Sequence, residues 1–168
     1  MCDYIPPIDQ LILALKFGRR LSIASAIAEL MVQATISTDE LVDAAHLPDL
    51  LISVPLSQQR LSERGFNQSL EIAKPLAKAL SIPLYPHLLY RNRHTQAQAL
   101  LHPSQRRHNL HKAFTLNAGY TDKIAGQHIG VVDDVITTGA TLHEIAVYLK
   151  RQGAAKITNL VFARTPPH

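Results

Sequence analysis

The segment from Ile129 to Thr141 constrains the fold of this 168-residue chain more than any other part of it. It opens with an apolar, mostly β-branched run, which is typical of a buried parallel strand. Two adjacent acids follow, then a turn rich in hydroxyl groups, and a helix is predicted to begin near Thr141. The segment therefore predicts a strand–turn–helix unit. Its polar groups would lie at the carboxyl end of the strand, where parallel sheets bind their ligands.

Each part of this unit suits a phosphorylated ribose. Two neighbouring carboxylates can accept hydrogen bonds from the paired hydroxyl groups of the sugar, and the turn can direct backbone N–H groups and threonine hydroxyls at a phosphate. The following helix adds unpaired N–H groups and the positive end of its dipole. Glycine lets the backbone approach closely and tolerates a positive φ. The candidate catalytic residues are Asp133 and Asp134, and the candidate phosphate-binding residues are Val135, Ile136, Thr137, Thr138, Gly139, Ala140 and Thr141.

Two other interpretations fit this segment less well. An ordinary strand–turn–helix with an acidic N-cap would require neither two aspartates nor three threonines around a glycine. A P-loop would require the pattern G-x-x-x-x-G-K-[ST], which is absent, and no lysine follows Gly139.

Helical and strand patterns alternate along the rest of the chain. We predict helices over 7–17, 21–34, 38–45, 66–80 and 141–152, and strands over 50–54, 87–90, 113–116, 128–132 and 157–163. This order predicts an α/β fold with a mainly parallel sheet flanked by helices, and the length favours one domain over 1–168. Gly65 is expected to open the fourth helix, and Pro75 to kink or break it.

Charge is distributed unevenly over the chain, whose net charge is +4. Residues 72–121 contain seven Lys or Arg, five of the nine histidines and no acid. Such a segment suits a diphosphate, single-stranded nucleic acid or both, and a solvated basic surface is the simpler alternative. The apolar pattern fades over 91–111, and loops of that length are usually functional or disordered. We therefore predict a loop over 91–111 that is either functional or disordered.

The sequence offers little evidence for membrane insertion or export. It has no apolar run of about 18 residues, as a transmembrane helix requires, and 1–9 lack the pattern of a signal peptide. The single cysteine, Cys2, cannot form an internal disulfide, which suits a reducing cytosol. We therefore expect a cytoplasmic protein.

The 129–141 segment resembles the phosphoribosyl-diphosphate (PRPP) motif of type I phosphoribosyltransferases. Other segments resemble the ComF family, also called ComFC or GntX-like, and the resemblance runs from about Cys2 to Arg164. The segments that carry it are Val54-Pro55-Leu56-Ser57 with Arg60, Arg64-Gly65-Phe66-Asn67-Gln68, Arg91-x-Arg93-x-Thr95-x-x-Gln98, Arg106/Arg107-x-Asn109, Ala113-Phe114, Tyr4-x-x-Pro7, Leu11-Ile12 and Leu15-Lys16-Phe17.

The resemblance implies a type I phosphoribosyltransferase fold that binds PRPP or ribose 5-phosphate. Mg²⁺ is expected only together with PRPP, because it favours substrate phosphates over a site made of protein alone. The resemblance also implies an association with natural competence and DNA uptake, with single-stranded DNA and competence-machinery proteins as candidate partners. It places Leu56, Ser57, Arg60 and Arg64 at or near the diphosphate, and it makes 91–111 a flexible flap that covers the site. Arg60 and Arg64 could instead be surface arginines that bridge to Glu63 or Glu71. Arg91, Arg93, Arg106 and Arg107 could line the flap or a strand-binding groove, or be solvated loop charges.

One departure from the family concerns zinc. ComF proteins usually begin with a four-cysteine zinc module, but this sequence retains only Cys2 and has no histidine before His46. One thiolate cannot complete a four-ligand site, so zinc is not expected in this chain. Two functions stay open, namely a phosphoribosyltransferase with an unknown acceptor and a non-catalytic DNA-binding module that uses the PRPP pocket as a sensor.

Overall fold

The computed structural model describes residues 1–18, 20–37, 47–92 and 113–166. The predicted helix over 38–45 and most of the predicted flap lie outside these ranges. Five helices and a short 3₁₀ helix are described, namely α1 Ile8–Gly18, α2 Ser22–Ser37, α3 Gln58–Arg64, α4 Gln68–Leu80, the 3₁₀ helix Ala118–Lys123 and α5 Ala140–Arg151. The strands are β1 Cys2–Asp3, β2 Leu50–Ser53, β3 Leu89–Arg91, β4 Phe114–Leu116, β5 His128–Ile136 and β6 Lys156–Arg164.

The main sheet contains four strands in the order β1-β6-β5-β2, and all of its pairings are parallel. β5 lies inside the sheet, with β2 along its first half and β6 along nearly all of its length. β3 and β4 pair antiparallel in a separate two-stranded ribbon. The predicted α/β fold with a mainly parallel sheet is confirmed.

Alternation along the strands divides the core between the two faces of this sheet. Leu51 and Val132 pack with buried residues of α1, α2 and α4. Their neighbours Ile52 and Val131 point the other way and pack with residues of α5, β3 and β4. A strand covered on both faces explains the continuous apolar pattern of β2 and β5. Within the described part of the chain, no helix has the length and apolar character needed to span a membrane.

Gly130 leaves room beside β5 for the side chains of Leu51 and Pro48. A Cβ atom at this position would lie 2.4 Å from Leu51 Cδ2 and 2.9 Å from Pro48 Cγ, which is too close for either contact. A larger residue at this position would therefore force these two side chains to move.

The extent of β5 corrects one prediction. The strand was expected to end at Val132, with the two acids beyond it, but it continues to Ile136 and includes both. β6 pairs alongside as far as Arg164, and the Thr165 N–H donates to the Ile136 carbonyl at 3.0 Å. This distant partner satisfies the backbone of the acidic segment and extends the strand.

The region after β2 corrects a second prediction. Gly65 does not open a helix. It ends α3, a helix missed from the sequence, in a left-handed conformation with φ 83°. The next helix, α4, begins three residues later, where the Asn67 side chain accepts hydrogen bonds from the N–H groups of Ser69 and Leu70. Pro75 lies inside α4 without interrupting it.

Candidate functional site

The turn between β5 and α5 forms a small cradle. A cavity of about 50 Å³ is enclosed by Asp133, Val135 and the run from Ile136 to Leu142. Gly139 occupies the N-cap of α5 with φ 74° and offers no side chain to the amide groups of the first helical turn. Thr137 and Thr138 are exposed, and Thr138 Oγ1 accepts from the Ala140 N–H at 3.4 Å. The cradle thus presents hydroxyl groups and a helix N-terminus, both suited to an anion.

Asp133 is the acid that faces this cradle. Its Oδ1 atom accepts hydrogen bonds from Ser69 Oγ at 2.9 Å and from the Asp134 N–H at 3.0 Å. Burial, reinforced by the neighbouring Asp134 carboxylate, raises the pKa of Asp133 to about 7. A carboxyl group that changes charge near neutral pH is typical of functional sites.

Asp134 points away from the cradle and is almost completely buried, with 3% of its surface exposed. Its Oδ2 atom lies 2.5 Å from Lys16 Nζ in α1, and its Oδ1 atom accepts from Gln68 Nε2 of α4 at 3.2 Å. The two predicted catalytic acids therefore have different surroundings. One lines the cradle, and the other is held by an ion pair that joins β5 to the N-terminal helix.

The loop after β2 brings the predicted diphosphate residues to the same edge of the sheet. Ser57 is buried and caps α3, where its Oγ atom lies 3.5 Å from the Arg60 N–H. A parallel bridge joins Ser57 to Arg91, the last residue of β3. Leu56 is half-buried in the same loop. Ser57, Arg60 and Arg91 are therefore neighbours, although the sequence separates Arg91 from the other two.

Arg91 and its charged surroundings link this loop to Asp133. Burial and the positive charge of Arg60 lower the pKa of Arg91, while the carboxylates of Glu144 and Asp133 act in the opposite direction. Burial raises the pKa of Glu144, in α5, and the positive charge of Arg91 opposes that rise. The Arg91 guanidinium also lies 5.7 Å from the centre of the Phe114 ring. Arg91 thus lies within electrostatic reach of the acid in the cradle, and Arg60 lies within electrostatic reach of Arg91.

Arg64 lines the same cavity as Arg60, and its place beside a diphosphate stays a prediction. Its guanidinium donates to Gln68 Oε1 at 2.5 Å and lies 5.5 Å from the centre of the Phe17 ring of α1. Arg93, Arg106 and Arg107 lie outside the described residues.

Sequence reasoning missed three contact residues of the acid pair. Gln68 and Ser69 start α4 and hold one acid each, and Gln68 belongs to the Arg64–Gln68 segment that had been noticed only as a resemblance. Lys16 gave no indication of its role, since 118 positions separate it from Asp134.

The donor set at this edge fits a cation that arrives with its ligand. Within the described ranges, no three His, Cys, Asp or Glu side chains gather as a metal site. Asp133, the threonine hydroxyls and a diphosphate together resemble the usual surroundings of Mg²⁺, which binds few protein carboxylates and keeps several waters.

Comparison with known proteins agrees with this geometry. Residues 67–167 match the family model described as phosphoribosyl transferase domain. The chain is 41% identical to the DNA utilization protein YhgH of Escherichia coli O157:H7 over 98% of its own length and 70% of that protein. It is 35% identical to the competence protein F of Haemophilus influenzae over 92% of its length and 66% of that protein.

A solved structure gives the fold independently. The glutamine PRPP amidotransferase of B. subtilis superposes with a TM-score of 0.55 at 20% identity, covering 83% of this chain. This chain spans only 26% of that enzyme, so the likeness concerns the fold alone. The fold, the cradle and the relatives lead to one conclusion: the chain belongs to the ComF family, within the phosphoribosyltransferase superfamily.

Proposed function

We propose that this chain binds PRPP together with Mg²⁺ and transfers its phosphoribosyl group to an acceptor. One observation supports this most directly. A carboxylate and a glycine-centred turn at a helix N-terminus share a single small cavity. The turn suits the 5-phosphate, and Asp133 suits the ribose hydroxyl groups. Ribose 5-phosphate alone is expected to bind more weakly through the same groups.

The chemistry we propose is loss of diphosphate from C1 of the ribose, with positive charge developing on the sugar. The cradle would fix the 5-phosphate, while Asp133 in its ionised form would accept hydrogen bonds from the sugar hydroxyls. Arg60 and Arg91 would stabilise negative charge on the departing diphosphate. Mg²⁺, when bound, would neutralise part of that charge. The contribution of the protein is positioning and electrostatic stabilisation.

The names of the relatives suggest a biological setting. YhgH is called a DNA utilization protein, and the Haemophilus relative is called a competence protein. We infer that this chain acts in natural competence or DNA uptake, in the cytoplasm, with proteins of the competence machinery as partners.

Calorimetry with PRPP and Mg²⁺ tests the proposed site. At about pH 8, where a carboxyl group with a pKa near 7 is mostly ionised, we expect saturable binding by the wild type. Asp133→Asn removes the charge but keeps the size of the side chain, and should weaken binding about tenfold or more, as expected for a charge-assisted hydrogen bond.

Asp122→Asn is the matched control, because Asp122 is an exposed aspartate in the 3₁₀ helix. It should bind PRPP as the wild type does. Equal affinities for all three proteins, or no binding at saturating PRPP, would refute the proposed site. Release of diphosphate in the presence of a panel of bases and amines then separates a transferase from a protein that only binds PRPP.

A second candidate function is single-stranded DNA binding, with the PRPP pocket acting as a sensor. The acid-free segment 72–121 favours it, and Arg91 shows that at least one of its arginines adjoins the candidate site. The affinity for an oligonucleotide should fall steeply with salt concentration. A variant in which glutamine replaces all four arginines, Arg91, Arg93, Arg106 and Arg107, should show a weaker dependence of affinity on salt concentration. An unchanged slope would exclude this segment as the binding surface.

A further inference from the structure

A second cavity, much larger than the cradle, lies between α1 and α3. Its volume is about 600 Å³, and the described residues around it include Tyr4, Leu13, Phe17, Arg60 and Arg64. Lys16 also lines it. The cavity is thus built largely from the N-terminal helix and from the helix that follows the proposed diphosphate loop. Of these lining residues, the proposed function uses Arg60 alone.

The cavity has an aromatic wall that is unusually exposed. Phe17 has 72% of its surface exposed, and Leu13, one helical turn away, has 44%. Large apolar side chains gain about 25 cal/mol for each Å² that they bury, so leaving Phe17 open forgoes substantial stability. Its ring is already paired on one side with the Arg64 guanidinium, 5.5 Å from the ring centre. An aromatic ring beside a guanidinium forms a platform on which a planar group can stack.

The charge around this platform favours an anion. Lys16 is already neutralised by Asp134 at 2.5 Å. Among the described lining residues, Arg60 and Arg64 remain, against the carboxylate of Glu63, which accepts a hydrogen bond from Gln59 Nε2 at 2.7 Å. A site with a net positive charge and an exposed ring matches a nucleobase that carries a phosphate beside it.

The platform is held in place by the core of the protein. Arg64 donates to Gln68, Gln68 donates to the buried Asp134, and Asp134 pairs with Lys16, the residue before Phe17. Together with the contact between Arg64 and Phe17, these pairs connect α1, α3, α4 and β5 in a closed loop. Arg64 and the end of α1 that carries Phe17 are therefore held in place before a ligand arrives, which lowers the entropy that binding must overcome.

We infer that the cavity between α1 and α3 is a nucleotide-binding site in which Phe17 and Arg64 stack on a nucleobase and Arg60 contacts its phosphate. The site is separate from the cradle but shares Arg60 with the proposed diphosphate site, so a bound nucleotide and the diphosphate of PRPP should compete for this arginine. The same chemistry is offered by a free nucleotide and by a nucleotide within a single strand.

The probe is adenosine 3′-monophosphate, which lacks the 5-phosphate that the cradle is proposed to hold. Titration followed by calorimetry should show binding to the wild type. Phe17→Ala and Arg64→Ala should each weaken it about tenfold, the size expected from losing one stacking partner. Phe17→Tyr should retain it. The matched control is Leu11→Ala, a partly exposed leucine of α1 that does not line the cavity.

The two sites are told apart by Asp133→Asn, which should leave the binding of adenosine 3′-monophosphate unchanged even if PRPP binding fails. Affinity that is equal in the wild type, Phe17→Ala and Arg64→Ala would overturn the inference. So would inorganic phosphate binding as tightly as the nucleotide, because charge alone would then explain it.

If an oligothymidylate without terminal phosphates displaces the probe, the natural ligand is a strand. If it does not, the ligand is a free nucleotide.

Discussion

Replacing Asp134 with alanine is expected to destabilise the protein by about 3 kcal/mol, because a buried cation loses its partner. Lys16 Nζ lies 2.5 Å from the Asp134 carboxylate, and the lysine side chain is only 19% exposed. Gln68 Nε2 would lose its acceptor in the same variant. Urea denaturation, extrapolated linearly to zero denaturant, gives the free energy of unfolding for each variant.

A double variant separates the lost ion pair from the penalty of an unpaired charge. The double variant Lys16→Met with Asp134→Leu removes both charges and fills the space with apolar side chains. It should therefore be clearly more stable than Asp134→Ala. Asp3→Asn is the matched control, because it breaks a pair with Arg164 in which both side chains are about half exposed, and it should cost less than about 1 kcal/mol. A loss below about 1 kcal/mol in Asp134→Ala would show that the buried pair contributes little.

The stability of the wild type should fall relative to Asp133→Asn as the pH rises from about 5 to about 8. Burial, together with the Asp134 charge, raises the pKa of Asp133 to about 7 in the folded chain, against 3.8 for an unperturbed aspartate. Between these values the folded state binds the proton and the unfolded state does not. The stabilising contribution of the proton is complete below about pH 4 and is lost as the pH rises through 7. The expected change between pH 5 and 8 is about 3 kcal/mol.

Urea denaturation of both proteins at several pH values measures this change, because other titrating groups cancel in the difference. Asp122→Asn, at an exposed position, should show no such trend relative to the wild type. A difference that stays constant with pH would contradict the assigned environment of Asp133. If the trend is found, ionised Asp133, the form that suits a sugar hydroxyl, makes the protein less stable than protonated Asp133 does.

Local sequence patterns predicted the elements whose stability comes from their own residues. The helix over Ala140–Arg151 and the strand over Leu50–Ser53 appear close to the predicted positions, because their apolar spacing and flanking glycine or proline residues are local features. The helix over Gln58–Arg64 was missed because it buries no residue and so has no apolar periodicity. Ser57 before it and Gly65 after it were the available indications, as N-cap and C-cap.

The candidate site was predictable in its contiguous part only. The turn that begins at Thr137 was predictable because glycine and hydroxyl residues stand next to one another in the sequence, and its binding of a phosphate stays a prediction. Asp133 and Asp134 differ because their contacts come from different residues of α1 and α4. No local sequence pattern predicts which residues of these helices contact which acid. The roles of both acids in binding stay predictions until the experiments are done.

The order of strands has a consequence for synthesis in the cell. β1 pairs with β6, whose partner residues are Ala163 and Arg164, and β5 is the strand that joins β6 to β2. Until residues 128–164 have been synthesised, β2 has no partner strand in the main sheet. The apolar faces of α1 and α2 then have no completed sheet to pack against. Multi-element chains in this state aggregate readily and engage chaperones. Nascent chains arrested before β6 should therefore be recovered as chaperone-bound, protease-sensitive species.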